Sequence, residues 1–409
     1  MPSDRSGQAA PIGRVERFET IVVGAGQAGL AVGYHLAHRD ADFVILDGAQ
    51  RLGESWRERW DSLRLFTPAA YDGLPGMPFP APSNHLPDKD EVADYLTRYV
   101  ERHDLPVRLR TPVHSLAHDG DRFVLRSDDR TFEADNVVVA TGPFQRPKIP
   151  EIARHLSPHI RQLHSSEYRN PFAIPDGPVL VVGAGNSGAQ IALELARVRK
   201  VWLAGRSTGS LPRRFLGRDL FDWIWPLLTR ATLDTRLGRR LRGRVSHGGD
   251  RLIGIREKDL RDAGVVRVGR VTGERGGLPE CETSVLDPAV IIWCTGFGSD
   301  YSWLDVPALD AHGRPVHDRG VVRDVPGLYF VGLRLQHRVT SSLIGGVRED
   351  AAFIADQVTG RNEQRGSRTL RFVGWGLPDD RPGNGRDAAA LPLRDPGRVR
   401  VGAGNPLSP

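Results

Sequence analysis

Short apolar runs alternate along the chain with segments in which apolar residues recur at helical spacing. The runs Ile21–Val23 and Val179–Val182 each lead into a glycine-rich turn and then into a helical segment. Further apolar runs, Phe43–Leu46 and Val201–Ala204, follow those helical segments. Alternation of strand and helix in this order is typical of parallel sheets covered by helices. The pattern therefore predicts an α/β fold.

The periodicity also predicts the elements around these units. A helix is expected at Ala28–His38 and another at Lys89–His103, where Asp88 is a suitable N-terminal cap. Alternating segments predict an antiparallel meander, and longer apolar runs predict strands that end in glycine. These segments are Val113–Leu116, Phe123–Leu125 and Thr131–Glu133 for the meander, 136–142, 289–296 and 327–332 for the strands, and 346–358 for a final helix.

The two glycine-rich turns share the pattern Gly-X-Gly-X-X-Gly. In a strand–turn–helix unit, the first glycine allows a tight turn, the second lets the backbone approach a pyrophosphate, and the third lets helix and strand pack closely. One such turn is a weak signal, whereas two indicate a protein that holds two dinucleotides and moves electrons between them. The candidate cofactor contacts are Gly24, Gly26, Gln27, Ala28 and Gly29 in the first turn, and Gly183, Gly185, Asn186, Ser187 and Gly188 in the second.

The residue at the end of the next strand distinguishes the two ligands. Asp47 follows the first glycine of its turn by 23 residues, where a carboxylate binds a ribose diol and repels a 2′-phosphate. This favours FAD at the first turn, with NAD as the alternative. Arg206 has the same spacing from the second turn, and a guanidinium there suits a 2′-phosphate. The second turn is therefore predicted to bind NADPH, supported by Arg213 and Arg214, and the alternative for Arg206 is a solvated loop arginine.

These elements divide the chain into two dinucleotide-binding domains of Rossmann type. The strand at 327–332 is expected to return to the first domain, so the NADPH domain is predicted to be inserted in the FAD domain. The predicted parts are a flexible lead over 1–16, the first part of the FAD domain over 17–150, an interdomain linker over 151–177, the NADPH domain over 178–290, the return of the FAD domain over 291–360, and a disordered tail over 361–409.

Composition and charge narrow the classes of function. Apolar residues make up 39% of the 409 residues, enough for packed cores, and no apolar run approaches the ~20 residues of a membrane span. The N-terminus lacks the apolar stretch of a secretory signal. The net charge is +6, but the Gly- and Pro-rich tail contributes nine arginines against five acidic residues. We therefore expect a cytoplasmic protein that has no nucleic-acid partner.

The two cysteines, Cys281 and Cys294, are not spaced as a CxxC or CxxxxC pair. Proteins that reduce disulfides or hold a metal through cysteine usually carry such a pair. Neither a metal site nor a redox-active disulfide is therefore expected, and this argues against a disulfide reductase.

One segment, 216–246, has no clear periodicity. Aromatic and aliphatic residues cluster in its first half, and arginines follow them. Two interpretations stay open. The segment is either an amphipathic element that makes peripheral contact with a membrane surface, or a helical insertion that packs over the active-site cleft.

Together these motifs resemble the class B flavoprotein monooxygenases, the flavin-containing monooxygenase group that includes YUCCA-type enzymes and bacterial N-hydroxylating or S-oxidising relatives. The similarity spans residues 18–358 and rests on the two glycine turns and on the segments 53–56 with Trp60, 65–68, 140–142 and 294–297. The resemblance implies further cofactor contacts. These are Gly53, Ser55 and Trp56, and also Thr141, Gly142, Thr295 and Gly296, for which tight strand exits are the alternative.

The same family carries a linker fingerprint, FxGxxxHxxx followed by an aromatic residue. His164 and Tyr168 match its second half, whereas Pro158 and Ile160 replace its Phe and Gly. The resemblance implies that His164 positions the domains, with a histidine satisfied by the backbone as the alternative. Tyr168 favours the flavin-containing or N-hydroxylating branch, because Baeyer–Villiger enzymes carry Trp there. Family members often have a catalytic Asn near the position of Phe66 or Thr67, and this chain has no Asn there, which implies a different local chemistry above the flavin. Thr67 and His164 are the candidate catalytic residues.

The activity that the resemblance implies is an FAD- and NADPH-dependent monooxygenase. Such an oxidoreductase inserts one atom of dioxygen into a small organic substrate through a C(4a)-(hydro)peroxyflavin, here by N- or S-oxygenation or a related oxidation. Baeyer–Villiger oxygenation, an NADPH-dependent flavin reductase and a non-catalytic FAD-binding redox sensor stay as alternatives. The substrate pocket is expected at the junction of the domains, lined partly by Leu65–Phe79 and Gln336–Leu343.

Overall fold

The structure, a computed structural model, describes residues 15–236, 238–239 and 251–373, with side chains described up to residue 365. Within these ranges the fold is mixed α/β. The strands are, in chain order, β1 (Val15–Val23), β2 (Phe43–Leu46), β3 (Val107–Arg108), β4 (Ser115–Asp119), β5 (Arg122–Arg126), β6 (Thr131–Val139), β7 (Arg146–Pro147), β8 (Arg161–His164), β9 (Val179–Val182), β10 (Val201–Ala204), β11 (Ser210–Leu211), β12 (Arg214–Phe215), β13 (Arg218–Asp219), β14 (Leu252–Ile253), β15 (Val266–Arg267), β16 (Val271–Arg275), β17 (Leu278–Cys281), β18 (Val290–Trp293), β19 (Phe297–Gly298), β20 (Leu304–Asp305) and β21 (Leu328–Phe330). The helices are α1 (Gln27–Ala37), α2 (Glu54–Arg57), α3 (Lys89–His103), α4 (Asn186–Leu195), α5 (Leu220–Arg230), α6 (Glu257–Asp262) and α7 (Arg348–Val373), with 3-10 turns at Ala69–Tyr71, Glu151–His155 and Pro171–Ala173.

The first sheet has the strand order β20-β4-β5-β6-β1-β2-β3, and β21 also pairs with β6. β1 lies between β2 and β6 and is parallel to both, so that Val22 is opposite Ile45 and Val138. The antiparallel pairing of β4, β5 and β6 confirms the predicted meander. The strand expected at 327–332 is β21, which runs parallel to β6 and returns the chain to this sheet.

Two boundaries in the first sheet differ from the prediction. β1 begins at Val15, which is paired with Thr131, so residues 15–16 of the expected lead belong to a strand. The last meander strand and the buried strand after Asn136 are one element, β6. Burial alternates along β6 as far as Asp135 and is continuous from Asn136, because the later residues are covered on both faces of the sheet.

The second sheet has the order β15-β10-β9-β18-β8, and all of its pairings are parallel. Its extent corrects two predicted boundaries. β8 lies inside the expected linker, 151–177, yet it pairs with β18 as an edge strand; its sequence, Arg-Gln-Leu-His, is too short and polar to indicate a strand. β18 (Val290–Trp293) crosses the predicted boundary between 178–290 and 291–360, and it pairs with β9 of the second sheet.

Each sheet is covered by apolar side chains on both of its faces. On the first sheet, Val22 and Ile45 pack with helices α1, α3 and α7 on one face, while Val23 and Leu46 belong to the opposite cluster. On the second sheet, Val181 faces the cluster that contains α4, and Val182 faces the other. Parallel strands that are buried on both faces have continuous apolar sequences. The apolar runs of the sequence therefore predicted these strands.

The helices follow the prediction closely at the start of the chain. α3 has the predicted bounds, and Asp88 caps it through a capping box with Glu91. α1 is shifted by one residue from the expected 28–38. α7 begins near the expected position but continues to Val373, so the first part of the predicted disordered tail is helical; no proline interrupts it. The rest of the predicted tail, 374–409, lies outside the described residues. None of the described helices combines the length and apolar character needed to span a bilayer.

The chain crosses between the two sheets twice, and the two crossings are paired. β7 leaves the first sheet and β19 leaves the second, and they form an antiparallel pair. The backbone N–H of Lys148 donates to the carbonyl oxygen of Gly296 at 3.0 Å, and the hydroxyl of Thr295 donates to the carbonyl of Lys148. Arg146 and Asp300 add an ion pair beside them.

Candidate active site

The first glycine turn joins β1 to α1 and is closely packed on its protein side. Gly24 has φ +109°, and a Cβ there would lie 2.6 Å from the carbonyl oxygen of Ala140. A Cβ on Gly29 would lie 1.9 Å from the carbonyl oxygen of Gly24. By contrast, no atom lies within 4 Å of the Cβ position of Gly26. α1 also begins without a side-chain cap. The turn therefore leaves open the approach that a pyrophosphate needs.

The second glycine turn, between β9 and α4, repeats this geometry. Gly183 has φ +112°, and its Cβ would lie 2.2 Å from the carbonyl oxygen of Cys294. Gly188 is packed against Gly183, whereas the Cβ position of Gly185 is open within 4 Å, and α4 has no side-chain cap. The carbonyl group of Cys294 thus packs against Gly183 as that of Ala140 packs against Gly24. In both turns the space that a side chain on the second glycine would fill is open. Both turns therefore fit a dinucleotide.

One cavity of about 560 Å³ joins the two turns. Gly26 of the first turn and both Asn186 and Ser187 of the second line it. Other predicted cofactor contacts on its wall are Gly24, Gln27, Ala28, Asp47, Ser55, Trp56, Thr141 and Gly142. The predicted residues that do not line it are Gly29, Gly53, Thr67, His164, Gly183, Gly185, Gly188, Arg206, Thr295 and Gly296. The structure therefore brings most of the first-turn candidates to the same space as the start of α4.

Part of the wall of this cavity is apolar. Trp56, Trp60, Leu63, Leu65 and Phe66 line it there. These residues come from α2 and the segment after it, which had been indicated by the 53–56 and 65–68 motifs. The other predicted lining segment, Gln336–Leu343, does not reach this cavity. Gln336 is instead buried and donates to the carbonyl oxygen of Phe330 at 3.0 Å.

The carboxylate of Asp47 holds the first turn together. Its Oδ2 accepts a hydrogen bond from the backbone N–H of Ala25 at 2.6 Å, and its Oδ1 accepts one from Ala49 at 2.7 Å. Asp47 is placed at the end of β2 and lines the cavity. Each carboxylate oxygen can accept more than one hydrogen bond, so the geometry leaves acceptor capacity for a ribose diol.

Gly53 has a packing function. It immediately precedes α2, and a Cβ at this position would lie 2.6 Å from the Cα of Ala93 on α3. This close approach lets α2 pack on α3 and brings Ser55 and Trp56 to the cavity.

Arg206 lies outside the cavity, at the end of β10. Its side chain is exposed and forms no ion pair with another residue in the described ranges. The carbonyl oxygen of the preceding Gly205 accepts a hydrogen bond from Arg267 at 2.8 Å, which fixes the backbone there. Arg213, expected to support Arg206, is used elsewhere: it pairs with Asp219 at 2.7 Å and donates to the carbonyl of Phe66 at 2.6 Å.

Thr67 is buried, and its hydroxyl donates to Oδ1 of Asp72 at 2.6 Å. Burial raises the pKa of the Asp72 carboxyl to about 7, although the hydrogen bond from Thr67 and the charge of Arg213 oppose the shift. Oδ2 of Asp72 accepts no hydrogen bond within the described residues. Asp72 was not predicted as a site residue, since nothing in the neighbouring sequence indicates a buried acid.

His164 lies at the end of β8 and is fully buried. Its Nε2 is 3.0 Å from the carbonyl oxygen of Gly296, which can only accept, so Nε2 carries the proton and Nδ1 accepts from Ser166. Burial lowers the pKa of His164, which favours this neutral form. Its ring also stands edge-on to Phe297, at 4.7 Å between centroids. His164 therefore holds the turn that leads out of the second sheet.

Arg59 is a cavity residue that sequence analysis did not single out. Its Nε donates to the carbonyl of Ser55, and its guanidinium lies 5.6 Å from the ring centroid of Phe144 and 5.1 Å from that of Phe297. Burial lowers its pKa, and it has no ion-pair partner among the described residues. Arg57, two positions earlier, pairs with Asp94. The spacing alone does not distinguish these two arginines.

The cysteines have no features of redox chemistry. Burial raises the pKa of the Cys294 thiol to about 12 and that of Cys281 to about 11. Both therefore stay as thiols at neutral pH, whereas thiol–disulfide exchange requires the thiolate. Within the described residues, no group of three or more His, Cys, Asp and Glu side chains is arranged to hold a metal ion.

Comparison with known proteins agrees with this geometry. A family model described as pyridine nucleotide-disulphide oxidoreductase matches residues 21–227. The chain is 41% identical over 344 residues to an uncharacterised oxidoreductase, CzcO-like, of Geobacillus kaustophilus, a match that covers 83% of this chain and 98% of the relative. It is 32% identical over 237 residues to the indole-3-pyruvate monooxygenase YUCCA4 of Oryza sativa, covering 52% of this chain and 54% of that protein. Among solved structures, a flavin-containing monooxygenase of Stenotrophomonas maltophilia has a TM-score of 0.69 at 27% identity, covering 85% of this chain and 99% of that one.

Two glycine turns that share one cavity in a mixed α/β fold are characteristic of flavin-dependent oxidoreductases. The chain belongs to the pyridine nucleotide-disulphide oxidoreductase family. It is a class B flavoprotein monooxygenase. It is accordingly an oxidoreductase, and its cofactors are FAD and NADPH. This confirms the class, the type of enzyme and the cofactors that the sequence predicted.

Proposed function

We propose that this enzyme inserts one oxygen atom into a small organic substrate at the expense of NADPH, by N- or S-oxygenation or a related oxidation. FAD and NADPH, when bound, supply the reducing equivalents and the oxygen-activating chemistry. The observation that carries the proposal is the single cavity of about 560 Å³ that Gly26 of one glycine turn and Ser187 of the other both line. Electron transfer between two dinucleotides requires such a shared space.

In this proposal the two sheets are the cores of two Rossmann-type domains, with the NADPH domain inserted in the FAD domain. The order of the strands supports it, since strands of the first sheet both precede and follow those of the second. The inserted part then runs from β8 to β18, in place of the predicted 178–290. FAD would be held by the first turn with Asp47 at its ribose, and NADPH by the second turn with Arg206 at its 2′-phosphate.

The chain itself would place the reactants and exclude water. The aromatic and aliphatic side chains around Trp60 and Phe66 make part of the cavity wall apolar. An enzyme of this class must keep water from its reactive oxygen, because otherwise NADPH is spent on hydrogen peroxide. Arg59, which forms no ion pair in the described ranges, would supply positive charge to a cavity that must accommodate two pyrophosphates.

No observation favours the alternatives over this function. Tyr168, which the fingerprint marks, is fully buried and donates to Glu194 at 2.8 Å, so it supports the second sheet and does not line the cavity. Disulfide reduction lacks a low-pKa cysteine. A pure redox sensor would need neither the apolar part of the cavity wall nor the exposed Arg206.

The test is to measure NADPH oxidised, oxygen consumed and hydrogen peroxide released by the FAD-loaded enzyme with a panel of amines, sulfides, ketones and oxo acids. The expected result is that at least one substrate lowers peroxide release while NADPH and oxygen are consumed in equal amounts, with a product heavier by one oxygen atom. If NADPH is oxidised and no substrate ever lowers peroxide release, the enzyme is a flavin reductase. If NADPH is not oxidised, the protein is a sensor.

A further inference from the structure

A group of large apolar side chains is exposed on the hairpin β12–β13 and on the helix α5 that follows it. Leu216, at the tip of the hairpin, is 76% exposed, and Phe215, Trp223 and Leu227 are also exposed. We call these four residues the hairpin patch. Isolated exposed apolar residues are common on protein surfaces, but a contiguous group usually marks an interaction site.

The turn at the tip of the hairpin is conformationally unfavourable for its sequence. Phe215 is paired with Arg218, so the turn has two central residues, Leu216 with φ +49° and Gly217 with φ +78°. Positive φ at both positions defines a type I′ turn, for which Asn-Gly is the preferred sequence. Leucine is disfavoured in this region of φ and gains nothing there from burial. Stability of the fold thus does not explain why a leucine occupies this position.

The patch is held in place by contacts with the rest of the chain. The indole Nε1 of Trp223 donates to the carbonyl oxygen of Phe215 at 3.1 Å, and the two rings meet at right angles. On the opposite side of α5, Phe221 is buried and its ring is stacked on Phe66, at 6.3 Å between centroids. Of the two interpretations of segment 216–246, packing against the cleft accounts for the inner side of α5 and leaves the outer side unexplained.

The charge around the patch is positive. Arg214, Arg218 and Arg230 are exposed and form no ion pair with any residue that the structure describes. The acidic residues nearby are engaged, since Asp219 pairs with Arg213 and Asp222 accepts a hydrogen bond from Tyr71 at 2.6 Å. Exposed leucine and tryptophan side chains beside unpaired arginines are typical of elements that lie in the interface of an anionic membrane.

We propose that the hairpin patch docks the enzyme peripherally on an anionic phospholipid surface. Leu216 and Phe215 would insert among the acyl chains, Trp223 would lie at the level of the headgroups, and the arginines would contact lipid phosphates. The proposal is independent of the reaction proposed above, because none of the four patch residues lines the cavity. Since Phe221 of α5 is stacked on Phe66, docking would bring the part of the cavity wall around Phe66 towards the bilayer.

The test uses the full-length FAD-loaded enzyme and flotation with two kinds of vesicle, phosphatidylcholine alone and phosphatidylcholine mixed with phosphatidylglycerol. We expect binding to the mixed vesicles only, weakened by added salt, because the attraction is partly electrostatic. Leu216→Asn should weaken binding about tenfold or more, since it removes a fully inserted apolar side chain. The same change supplies the preferred type I′ turn residue, so FAD content and the thermal midpoint should be retained.

Phe172→Ser is the matched control, because Phe172 is an 84% exposed aromatic residue on a different element, and this variant should bind as the wild type does. Arg218→Gln should lower both the affinity for mixed vesicles and its dependence on salt. Absence of binding to the mixed vesicles overturns the proposal. Equal binding by wild type and Leu216→Asn overturns it as well. A dimer in solution that Leu216→Asn dissociates would assign the patch to a second copy of this chain and reject the membrane.

Discussion

The hydroxyl of Thr67 donates a hydrogen bond of 2.6 Å to Asp72, and both side chains are buried beside Phe66, a cavity residue. The proton of Thr67 is therefore engaged with a carboxyl group whose pKa burial raises to about 7. Asp72 thus changes its charge near neutral pH, and its partner Thr67 directly follows the cavity residue Phe66.

The first prediction concerns stability. In the unfolded chain the Asp72 carboxyl has a pKa of 3.8, and in the folded protein about 7, so the folded state binds more protons between these values. Stability therefore falls as the pH rises from 3.8 to about 7, and the loss is complete above the folded pKa. Asp72→Asn keeps an acceptor for Thr67 and removes this loss. Its thermal midpoint should rise relative to wild type across this pH range.

Thermal midpoints of both proteins at a series of pH values check this prediction, and parallel curves would contradict it. Thr67→Val serves as the second variant. Because the hydrogen bond from Thr67 lowers the pKa of Asp72, its removal should move the transition to higher pH. A variant that only weakened packing would lower the midpoint equally at every pH.

The second prediction concerns flavin binding. Gly26→Val should abolish FAD binding and leave the fold intact, because no protein atom lies within 4 Å of the new Cβ, which instead occupies the path of the pyrophosphate. The ratio of flavin to protein absorbance measures the loss, and the thermal midpoint should match that of flavin-free wild type. Gly29→Ala is the contrasting variant, since its Cβ would lie 1.9 Å from a backbone oxygen and should destabilise the protein itself. A full flavin spectrum in Gly26→Val would remove the first turn from the FAD site.

The third prediction concerns the choice of nicotinamide cofactor. A charge-assisted contact between Arg206 and the 2′-phosphate of NADPH is worth about 1.5–3 kcal/mol. Arg206→Ala should therefore raise the KM for NADPH roughly ten- to a hundredfold and leave that for NADH nearly unchanged. Arg213 is engaged with Asp219 and Phe66, so it cannot compensate from its present position. Steady-state rates with both cofactors are the measurement, and equal losses with both would show that Arg206 acts through folding.

The fourth prediction concerns whether His164 acts by positioning the turn at Gly296 or by transferring a proton. His164→Leu removes the hydrogen bond to Gly296 and should destabilise the protein by about 1–3 kcal/mol, and it should also slow flavin reduction by NADPH. His164→Gln keeps a donor at the position of Nε2 and should restore both properties. Thermal midpoints and stopped-flow flavin reduction test this pair. If glutamine fails and only histidine supports reduction, the imidazole transfers a proton, which its two hydrogen bonds argue against.

The sequence predicted the elements whose periodicity is strong and missed those set by tertiary contacts. Continuous apolar runs identified β1, β9 and β18, and the capping residues identified α3 with its bounds. β8 was missed because Leu163 is its only apolar residue. One apolar side chain facing the core is enough for an edge strand, but it is too weak a pattern to predict one. The end of α7 was missed because residues beyond 360 have no apolar period, although nothing in them breaks a helix.

The candidate site likewise combines residues that a local sequence pattern predicts with residues whose role depends on tertiary contacts. The glycine turns could be predicted because their backbone geometry requires a residue without a side chain at fixed spacing. Asp72 and Arg59 could not, since their chemistry arises from burial and from neighbours distant in the sequence, such as Phe297 beside Arg59. Arg213 is a related case, because its position near Arg206 in the chain did not reveal its ion pair with Asp219.

The pairing of β7 with β19 has a mechanical consequence. A single covalent crossing would let one sheet swivel about the other, because rotation about one chain segment meets little resistance. Two crossings that are hydrogen-bonded to each other restrict this rotation more than one crossing does. We therefore expect the two glycine turns to keep their mutual orientation better than a single crossing would allow.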